Sequence, residues 1–269
     1  HIASRPIGLG ACTNPAGPRP RRCSAMASAA EHRSPESALD AAGEFRGVDL
    51  PREVEVQTDW ARLLERGAVP TGGHRPDDRE VLLVEGCFSP GECKALVAAA
   101  EQHGYGATNY PKAYRGNLRL STTDEGLAVA VWRRLQPFVP ATVERDGQVW
   151  DVVGLNEFWR LSKYHPGDRF MRHVDAFFHR GHGETSMFTV NIYMNCNFEG
   201  GATRFYPDAD SREADITIRP QPGLCLLFRQ PPQRAYYHDG EEVRSGQKYL
   251  FRSDVMYRLR EAEMQAAVS

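Results

Sequence analysis

A histidine and an aspartate lie two positions apart within the apolar and aromatic stretch "RFMRHVDAFF", residues 169–178. The large apolar neighbours predict a strand here, and alternate residues of a strand project from the same face. His173 and Asp175 are therefore expected on one side of the strand, where a single metal ion could bind both. The plainer alternative for such a short motif is a buried histidine that hydrogen-bonds a neighbouring carboxylate.

A second histidine–acid pair, His182 and Glu184, follows in "RGHGETS". Glycines flank this histidine, so no strand is expected to hold the two side chains on one face. The pair also begins the H-x-E motif of zinc deaminases, but no P-C-x-x-C segment follows it. We therefore favour His173 and Asp175 as the metal-binding pair.

His238, in "YYHDGEEV", is the best candidate for a third ligand because it follows the apolar strand "GLCLLF" and an intervening proline-rich loop. Two neutral imidazoles and one carboxylate, with the remaining coordination positions open, form the ligand set of non-haem Fe(II) oxygenases. The spacing fits a jelly-roll barrel in which neighbouring strands carry the first pair and the distant histidine.

Lys248 lies shortly after His238, at the start of the apolar and aromatic strand "KYLFRSDVMYRL". An unpaired buried ammonium costs several kcal/mol, so a lysine inside a barrel would need an anionic ligand such as a dicarboxylate. The alternative is a solvated lysine at the edge of a sheet. A metalloenzyme without a dicarboxylate cosubstrate would not need this lysine.

The elements expected to position these residues change character along the chain. Helices are predicted first: a short one in "TDWARLLERG" (58–67), a second with Ser89 as N-cap and Glu92 completing a capping box, and a third capped by Thr122. From Asn156 onward, short segments rich in β-branched and aromatic residues alternate with turn residues, which is typical of a sandwich or barrel. Helices before strands predict an α+β fold.

Several segments, in this order, resemble the prolyl 4-hydroxylase-like branch of the 2-oxoglutarate and Fe(II)-dependent dioxygenases. They are "FSPGECKAL", "SKYHPGDRFMRHVD", "FTVNIYMNCNFEGGATRF", "RPQPGLCLLF" and "HDGEEVRSGQKYLFRSDVMY". The resemblance runs from about Val81 to Leu259. It implies a double-stranded β-helix core, which is the cupin-like jelly roll, with flanking N-terminal helices.

The resemblance also implies a role for each site residue. His173, Asp175 and His238 would bind Fe(II), and Lys248 would bind the distal carboxylate of 2-oxoglutarate. Tyr164 matches the tyrosine that hydrogen-bonds this cosubstrate. Thr189 and Asn191 match more loosely, and ordinary polar positions of an alternating strand explain them equally well.

The reaction implied by the resemblance consumes O2 and 2-oxoglutarate, yields succinate and CO2, and hydroxylates a peptidyl proline, with ascorbate as an expected reductant. The same chemistry on a free amino acid or another small molecule remains open. So do a catalytically silent 2-oxoglutarate or metal-binding sensor and a cupin-like enzyme that uses another metal.

The predicted organisation is a disordered or targeting tail over 1–45, a linker with a short helix over 46–79, the dioxygenase domain over 80–260 and a C-terminal tail over 261–269. A net charge of -2 gives no general basic surface for nucleic acid, and no segment is long and apolar enough to span a membrane. The scattered cysteines predict a reducing compartment, hence the cytoplasm, although the arginine-rich start would also suit organelle targeting.

Two loops rich in glycine, aromatic and basic residues, 105–117 and 177–187, are expected either to cover the substrate as mobile lids or to be plain surface loops.

Overall fold

Helix α1, Pro90–His103, begins where the capping box predicts it. The Ser89 hydroxyl accepts a hydrogen bond from the Glu92 amide, and the Glu92 carboxylate accepts one from the Ser89 amide. The same carboxylate forms a bidentate pair with buried Arg134, at 2.7 and 2.9 Å. Glu92, which completes the capping box of α1, therefore also connects α1 to the second helix.

That second helix, α2, is Glu125–Leu135, and its predicted N-cap was wrong. Asp124 is the N-cap: its Oδ1 accepts a hydrogen bond from the Leu127 amide. Thr122 belongs to the preceding strand, and its hydroxyl accepts a hydrogen bond from the Trp60 indole instead. The segment predicted as a short helix over 58–67 forms a single 3-10 turn, Ala61–Leu63, and another such turn, Gln136–Phe138, follows α2.

The strands of the large sheet come from both halves of the chain. They are β1 (Val54–Val56), β2 (Gly72–His74), β3 (Val81–Glu85), β4 (Gly106–Ala107), β5 (Leu118–Thr123), β6 (Thr142–Arg145), β7 (Gln148–Leu155), β8 (Phe158–Tyr164), β10 (His179–Arg180), β11 (Glu184–Tyr193), β15 (Cys225–Arg229) and β18 (Lys248–Leu259). The main strand order is β1-β5-β8-β18-β11-β15-β3-β2. All these contacts are antiparallel except the parallel pair of β1 and β5.

The remaining strands form two small sheets. The four-stranded sheet has the order β14-β13-β16-β9, and the two-stranded sheet pairs β12 with β17. These strands are β9 (Phe170–His173), β12 (Phe198–Gly200), β13 (Thr203–Tyr206), β14 (Ile216–Ile218), β16 (Tyr237–Gly240) and β17 (Val243–Gly246).

Two apolar clusters bury the large sheet on both faces. One packs α1 and α2 against the sheet and includes Leu96, Val131 and Trp159. The other joins the large sheet to the four-stranded sheet and includes Phe205 and Phe228. Every residue of β11, between these clusters, is buried. A continuous apolar run such as "MFTVNIYMN" is the pattern expected for such a strand.

The predicted α+β class is confirmed, but its simple order of helices before strands is wrong. Strands β5, β6 and β7 precede Asn156, and β1 and β2 come from the segment predicted as a linker. These strands are short or carry polar residues at buried positions, as in "LRLSTT". Their apolar patterns are therefore weaker than those of β8, β11, β15 and β18.

The computed structural model describes residues 54–76, 80–181, 183–231 and 236–260. The predicted tails at 1–45 and 261–269 lie outside these ranges, and the domain boundaries stay predictions. Among the helices in these ranges, none has the length and apolar character needed to cross a membrane.

Candidate active site

The two predicted histidine ligands face each other across neighbouring strands. His173 ends β9, and His238 lies directly opposite it on β16 in the antiparallel register. The centroids of the two imidazole rings are 4.2 Å apart. Residues far apart in sequence therefore meet because the four-stranded sheet places their strands side by side.

A backbone carbonyl orients each imidazole. Nδ1 of His173 lies 2.8 Å from the carbonyl oxygen of Met171, and Nδ1 of His238 lies 2.9 Å from that of Tyr236. A carbonyl oxygen can only accept, so Nδ1 is the donor in both contacts, and in a neutral ring Nε2 then carries the lone pair. Contacts of this kind fix the tautomer and ring orientation of metal-binding histidines.

Asp175 completes the cluster, although not by strand alternation. Strand β9 ends at His173, and Asp175 lies in the irregular segment that follows. Its oxygens nonetheless lie 3.4 Å from Nε2 of His173 and 3.9 Å from Nε2 of His238. The ligand atoms of all three residues are within 4.8 Å of one another. The predicted convergence is therefore present, while the predicted reason for it was wrong.

A hydroxyl and a guanidinium hold the Asp175 carboxylate. Its Oδ2 accepts a 2.7 Å hydrogen bond from the Thr189 hydroxyl and lies 3.2 Å from Nη2 of Arg252. Gln230 donates in turn to the Thr189 hydroxyl at 3.0 Å. Burial alone would raise the pKa of Asp175, but Arg252 and the two histidines hold this pKa well below its usual range.

Burial and the neighbouring His173 lower the pKa of His238 to about 4. His238 is therefore a neutral imidazole near pH 7, which is the form that binds metals. Two oriented Nε2 atoms and an ionised carboxylate fit the donor set of a non-haem Fe(II) site.

The alternative pair is only partly described. His182 lies outside the described residues. The carboxylate of Glu184 is buried and paired with Arg258 and Arg180. Its charge is thus balanced without a metal ion.

Lys248 is buried inside the fold, not solvated at a sheet edge. Its residue is 3% exposed, and its Nζ donates a 2.7 Å hydrogen bond to the carbonyl oxygen of Gly201. Within the described part of the chain, no carboxylate forms an ion pair with it. Burial lowers the pKa of Lys248 to about 8, so the amine is still mostly charged at pH 7. This end of the site fits an anionic ligand.

Tyr164 lies directly opposite Lys248, on β8, with Nζ of the lysine 5.2 Å from its ring centroid. Burial raises the pKa of Tyr164, so its phenol keeps its proton and can donate a hydrogen bond. Asn191 is also buried, and its Oδ1 has no hydrogen-bond partner among the described residues. Thr189 differs from both because its hydroxyl already contacts Asp175. The cosubstrate roles predicted for these three residues stay predictions.

The triad, Lys248, Tyr164 and Asn191 line one cavity with walls from both the large and the four-stranded sheets. Its other lining residues are Arg115, Ser162, Phe170, Thr203, Asp239, Gly240, Leu250 and Arg252.

Sequence reasoning missed Arg252, Gln230 and Arg115. Arg252 shares a face of β18 with Lys248, so the alternation of that strand could have indicated it. Arg115 follows Tyr114 in an irregular segment, where no sequence period indicates what it contacts. It lies in the predicted lid loop 105–117, whose mobility stays a prediction, as does that of 177–187.

Comparison with known proteins agrees with this site. Residues 159–253 match the family described as the 2OG-Fe(II) oxygenase superfamily, where 2OG denotes 2-oxoglutarate. The matched region includes the whole triad and Lys248. This part of the chain is therefore similar to a superfamily whose members are dioxygenases that use iron and 2-oxoglutarate.

Similar solved structures include a viral collagen prolyl hydroxylase, vCPH, from Paramecium Bursaria Chlorella virus-1. It is 19% identical, has a TM-score of 0.47, and the match covers 68% of this chain and 98% of that chain. A Pseudomonas putida prolyl-4-hydroxylase is 16% identical, with a TM-score of 0.44, over 68% and 94% of the two chains.

A Trichoplax adhaerens prolyl hydroxylase, in complex with a hypoxia inducible factor oxygen degradation domain peptide fragment, is 17% identical. Its TM-score is 0.49, over 71% of this chain and 88% of that chain. No curated protein matches the sequence. At these identities and scores, the structural similarities do not indicate a substrate.

Proposed function

We propose that this protein is an Fe(II)- and 2-oxoglutarate-dependent dioxygenase that hydroxylates a C–H bond of a peptidyl proline. The observation that carries the proposal is the convergence of His173, Asp175 and His238, with both Nδ1 atoms bound to backbone carbonyls. The cosubstrate half of the proposal, which is the use of Fe(II) and 2-oxoglutarate, rests on this site and on the superfamily match. The choice of a peptidyl proline as substrate rests on the motif resemblance and on exposed aromatic rings near the cavity.

We also propose that the large and four-stranded sheets together form a jelly-roll core. The cluster of apolar residues between them and the cavity lined by both support this assignment. Strands β9 and β16 would then belong to the smaller face of the barrel, and β8, β11 and β18 to the larger.

In the proposed enzyme the triad would hold Fe(II). Bound iron and 2-oxoglutarate supply the oxidation: O2 and 2-oxoglutarate are consumed, CO2 leaves, one oxygen atom enters succinate and the other becomes the new hydroxyl group. Ascorbate is expected as the reductant that restores ferrous iron.

The residues of this chain would bind and orient the cosubstrate. Lys248 would pair with its distal carboxylate, because a buried ammonium without a carboxylate partner gains most from an anion. The Tyr164 phenol would donate a hydrogen bond to it. Burial by both sheets would exclude water and strengthen these interactions.

Exposed aromatic rings next to Phe170, which lines the cavity, support a peptide substrate. Tyr110 and Tyr114 are 50% and 38% exposed. The Tyr114 ring meets Phe170 edge-on at 5.7 Å, and Phe170 stacks on His173 at 3.6 Å. Aromatic surfaces of this kind bind extended, proline-containing segments.

Succinate production tests the cosubstrate half. The protein is loaded anaerobically with Fe(II) and 2-oxoglutarate, exposed to air, and assayed for succinate. We expect 2-oxoglutarate-dependent succinate that needs iron. Its absence would contradict the proposal and favour a catalytically silent sensor.

Mass spectrometry of a proline-rich peptide library tests the substrate half. A gain of one oxygen atom on proline is expected. Oxygen gain only by free amino acids or other small molecules would favour the alternative substrate class.

A further inference from the structure

Arg115 enters the candidate cavity from the segment that precedes β5. Its Nε donates a 2.8 Å hydrogen bond to the amide oxygen of Asn117. Its guanidinium lies 4.3 Å from the Phe170 ring centroid and 5.5 Å from that of Tyr110. Phe170 in turn stacks on His173. The guanidinium is therefore one aromatic ring away from a candidate iron ligand.

No acid in the described part of the chain is paired with Arg115. Across the described ranges, neither of its Nη groups forms a hydrogen bond or an ion pair. Asp175, which lies close enough to act on it electrostatically, is already paired with Arg252. Burial lowers the pKa of Arg115, which still leaves a guanidinium charged at neutral pH.

The other two cations of the cavity, Arg252 and Lys248, have an anionic partner or would gain one from 2-oxoglutarate. Arg252 lies between two carboxylates, those of Asp175 and Asp254. Lys248 has no acidic partner among the described residues, but the distal carboxylate of 2-oxoglutarate would supply one. A single cosubstrate leaves the guanidinium of Arg115 without an anion.

We propose that Arg115 binds a carboxylate of the prime substrate, so that preferred substrates carry an acidic group beside the C–H bond that reacts. This inference rests on the proposed function. The two Nη groups offer the paired donors that match a carboxylate. The exposed ring of Tyr110 lies 5.5 Å from the Arg115 guanidinium and 6.0 Å from the exposed ring of Tyr114, so a substrate could reach Arg115 past these rings. The carboxylate is either the α-carboxylate of a small molecule or an acidic side chain of a peptide.

Binding to matched acid and amide probes tests the proposal. The protein is loaded with Mn²⁺ and 2-oxoglutarate, so that affinity is measured without turnover. One arm compares free L-proline with L-prolinamide by calorimetry. The other compares fluorescent peptides with a central proline, flanked by Asp or Asn, or by Glu or Gln, by fluorescence anisotropy.

We expect the acidic member of at least one arm to bind about tenfold or more tightly than its amide. In Arg115→Gln this ratio should fall to about one, and Arg115→Lys should keep part of it. Arg169→Gln is the matched control, since Arg169 is exposed and pairs loosely with Glu242. It should keep the full ratio.

Equal binding of acids and amides by the unaltered protein, or no binding by any acidic probe, would overturn the proposal. So would an acid preference that persists in Arg115→Gln. Succinate formation by the unaltered protein distinguishes a failure of the Arg115 proposal from a failure of the proposed oxygenase function. Succinate without an acid preference defeats only the role of Arg115. An acid preference that needs Arg115, without succinate, defeats only the proposed oxygenase.

Discussion

The two ends of the candidate cavity differ in whether a charged side chain has a partner of opposite charge. At the triad, backbone carbonyls orient the two imidazoles, and the Asp175 carboxylate is paired with Arg252. At the other end, buried Lys248 contacts a backbone carbonyl and the faces of two tyrosine rings, Tyr164 and Tyr193. The Asp175 carboxylate is paired with a cation before any ligand binds, whereas no carboxylate among the described residues pairs with Lys248.

This difference indicates that one end of the cavity is suited to a metal ion and the other to an anion. Donors that are oriented in advance lose little freedom when a metal ion binds. A buried cation without an anionic partner is costly in the free protein, and an anion that binds there relieves this cost. The account therefore predicts that changes at the two ends affect iron and 2-oxoglutarate separately.

Removal of a triad donor should have the largest effect. In His173→Ala or Asp175→Ala, we expect 2-oxoglutarate turnover to fall to background. Only two of the three donors remain, and they are too few to hold iron. Succinate formation measures activity, and circular dichroism checks that the fold is kept. His103→Ala, at the exposed end of α1, is the control and should keep its activity. Turnover that persisted in the triad variants would move the metal site elsewhere.

Truncation of Lys248 should act on the opposite end. In Lys248→Ala, the concentration of 2-oxoglutarate needed for half-maximal rate should rise at least about 30-fold, because truncating one partner of a buried charge pair costs ~2–5 kcal/mol. The iron requirement should change far less. Lys94→Ala, on the exposed face of α1, is the control. An unchanged requirement for 2-oxoglutarate would remove Lys248 from the site.

The sequence predicted the strong elements of the fold and the types of residue in the site. The capping box located α1, and the apolar runs located β8, β11, β15 and β18. Short strands such as β2 carry too few apolar residues to be recognised alone. They form because partners such as β3 lie beside them.

The arrangement within the site was less accessible. The sequence indicated His173 and His238 as ligands, but the direct opposition of the two follows from the register of β9 and β16. The support of Asp175 by Thr189 and Arg252 depends on where β11 and β18 pass the end of β9. Such contacts between distant segments leave no periodic signal.

Loss of the Thr189 hydroxyl should weaken the triad without destroying it. Thr189→Val keeps the side-chain shape but removes the hydrogen bond to Asp175 Oδ2, so iron affinity should fall about 10- to 100-fold. Iron titration of the purified protein measures this. Thr185→Val is the matched control, since the Thr185 hydroxyl on the same strand donates to the carbonyl of Phe178 instead. A similar loss in both variants would mean a general effect on β11.

The pH dependence should distinguish the two ends most finely. With a pKa of about 8, Lys248 loses its proton as the pH rises through that value, and the attraction for a dicarboxylate is lost with it. The apparent affinity for 2-oxoglutarate should therefore fall about tenfold from about pH 7 to about pH 9. In Lys248→Arg the guanidinium stays charged, so this fall should be absent. A similar fall in both proteins would assign it to another group.

A crystal structure with Mn²⁺ and 2-oxoglutarate tests the central claim most directly. The account predicts one anomalous peak between Nε2 of His173, the Asp175 carboxylate and Nε2 of His238, with the distal carboxylate of 2-oxoglutarate on Nζ of Lys248. A metal ion bound away from these three donors, or a cosubstrate whose distal carboxylate does not contact the lysine, would contradict it.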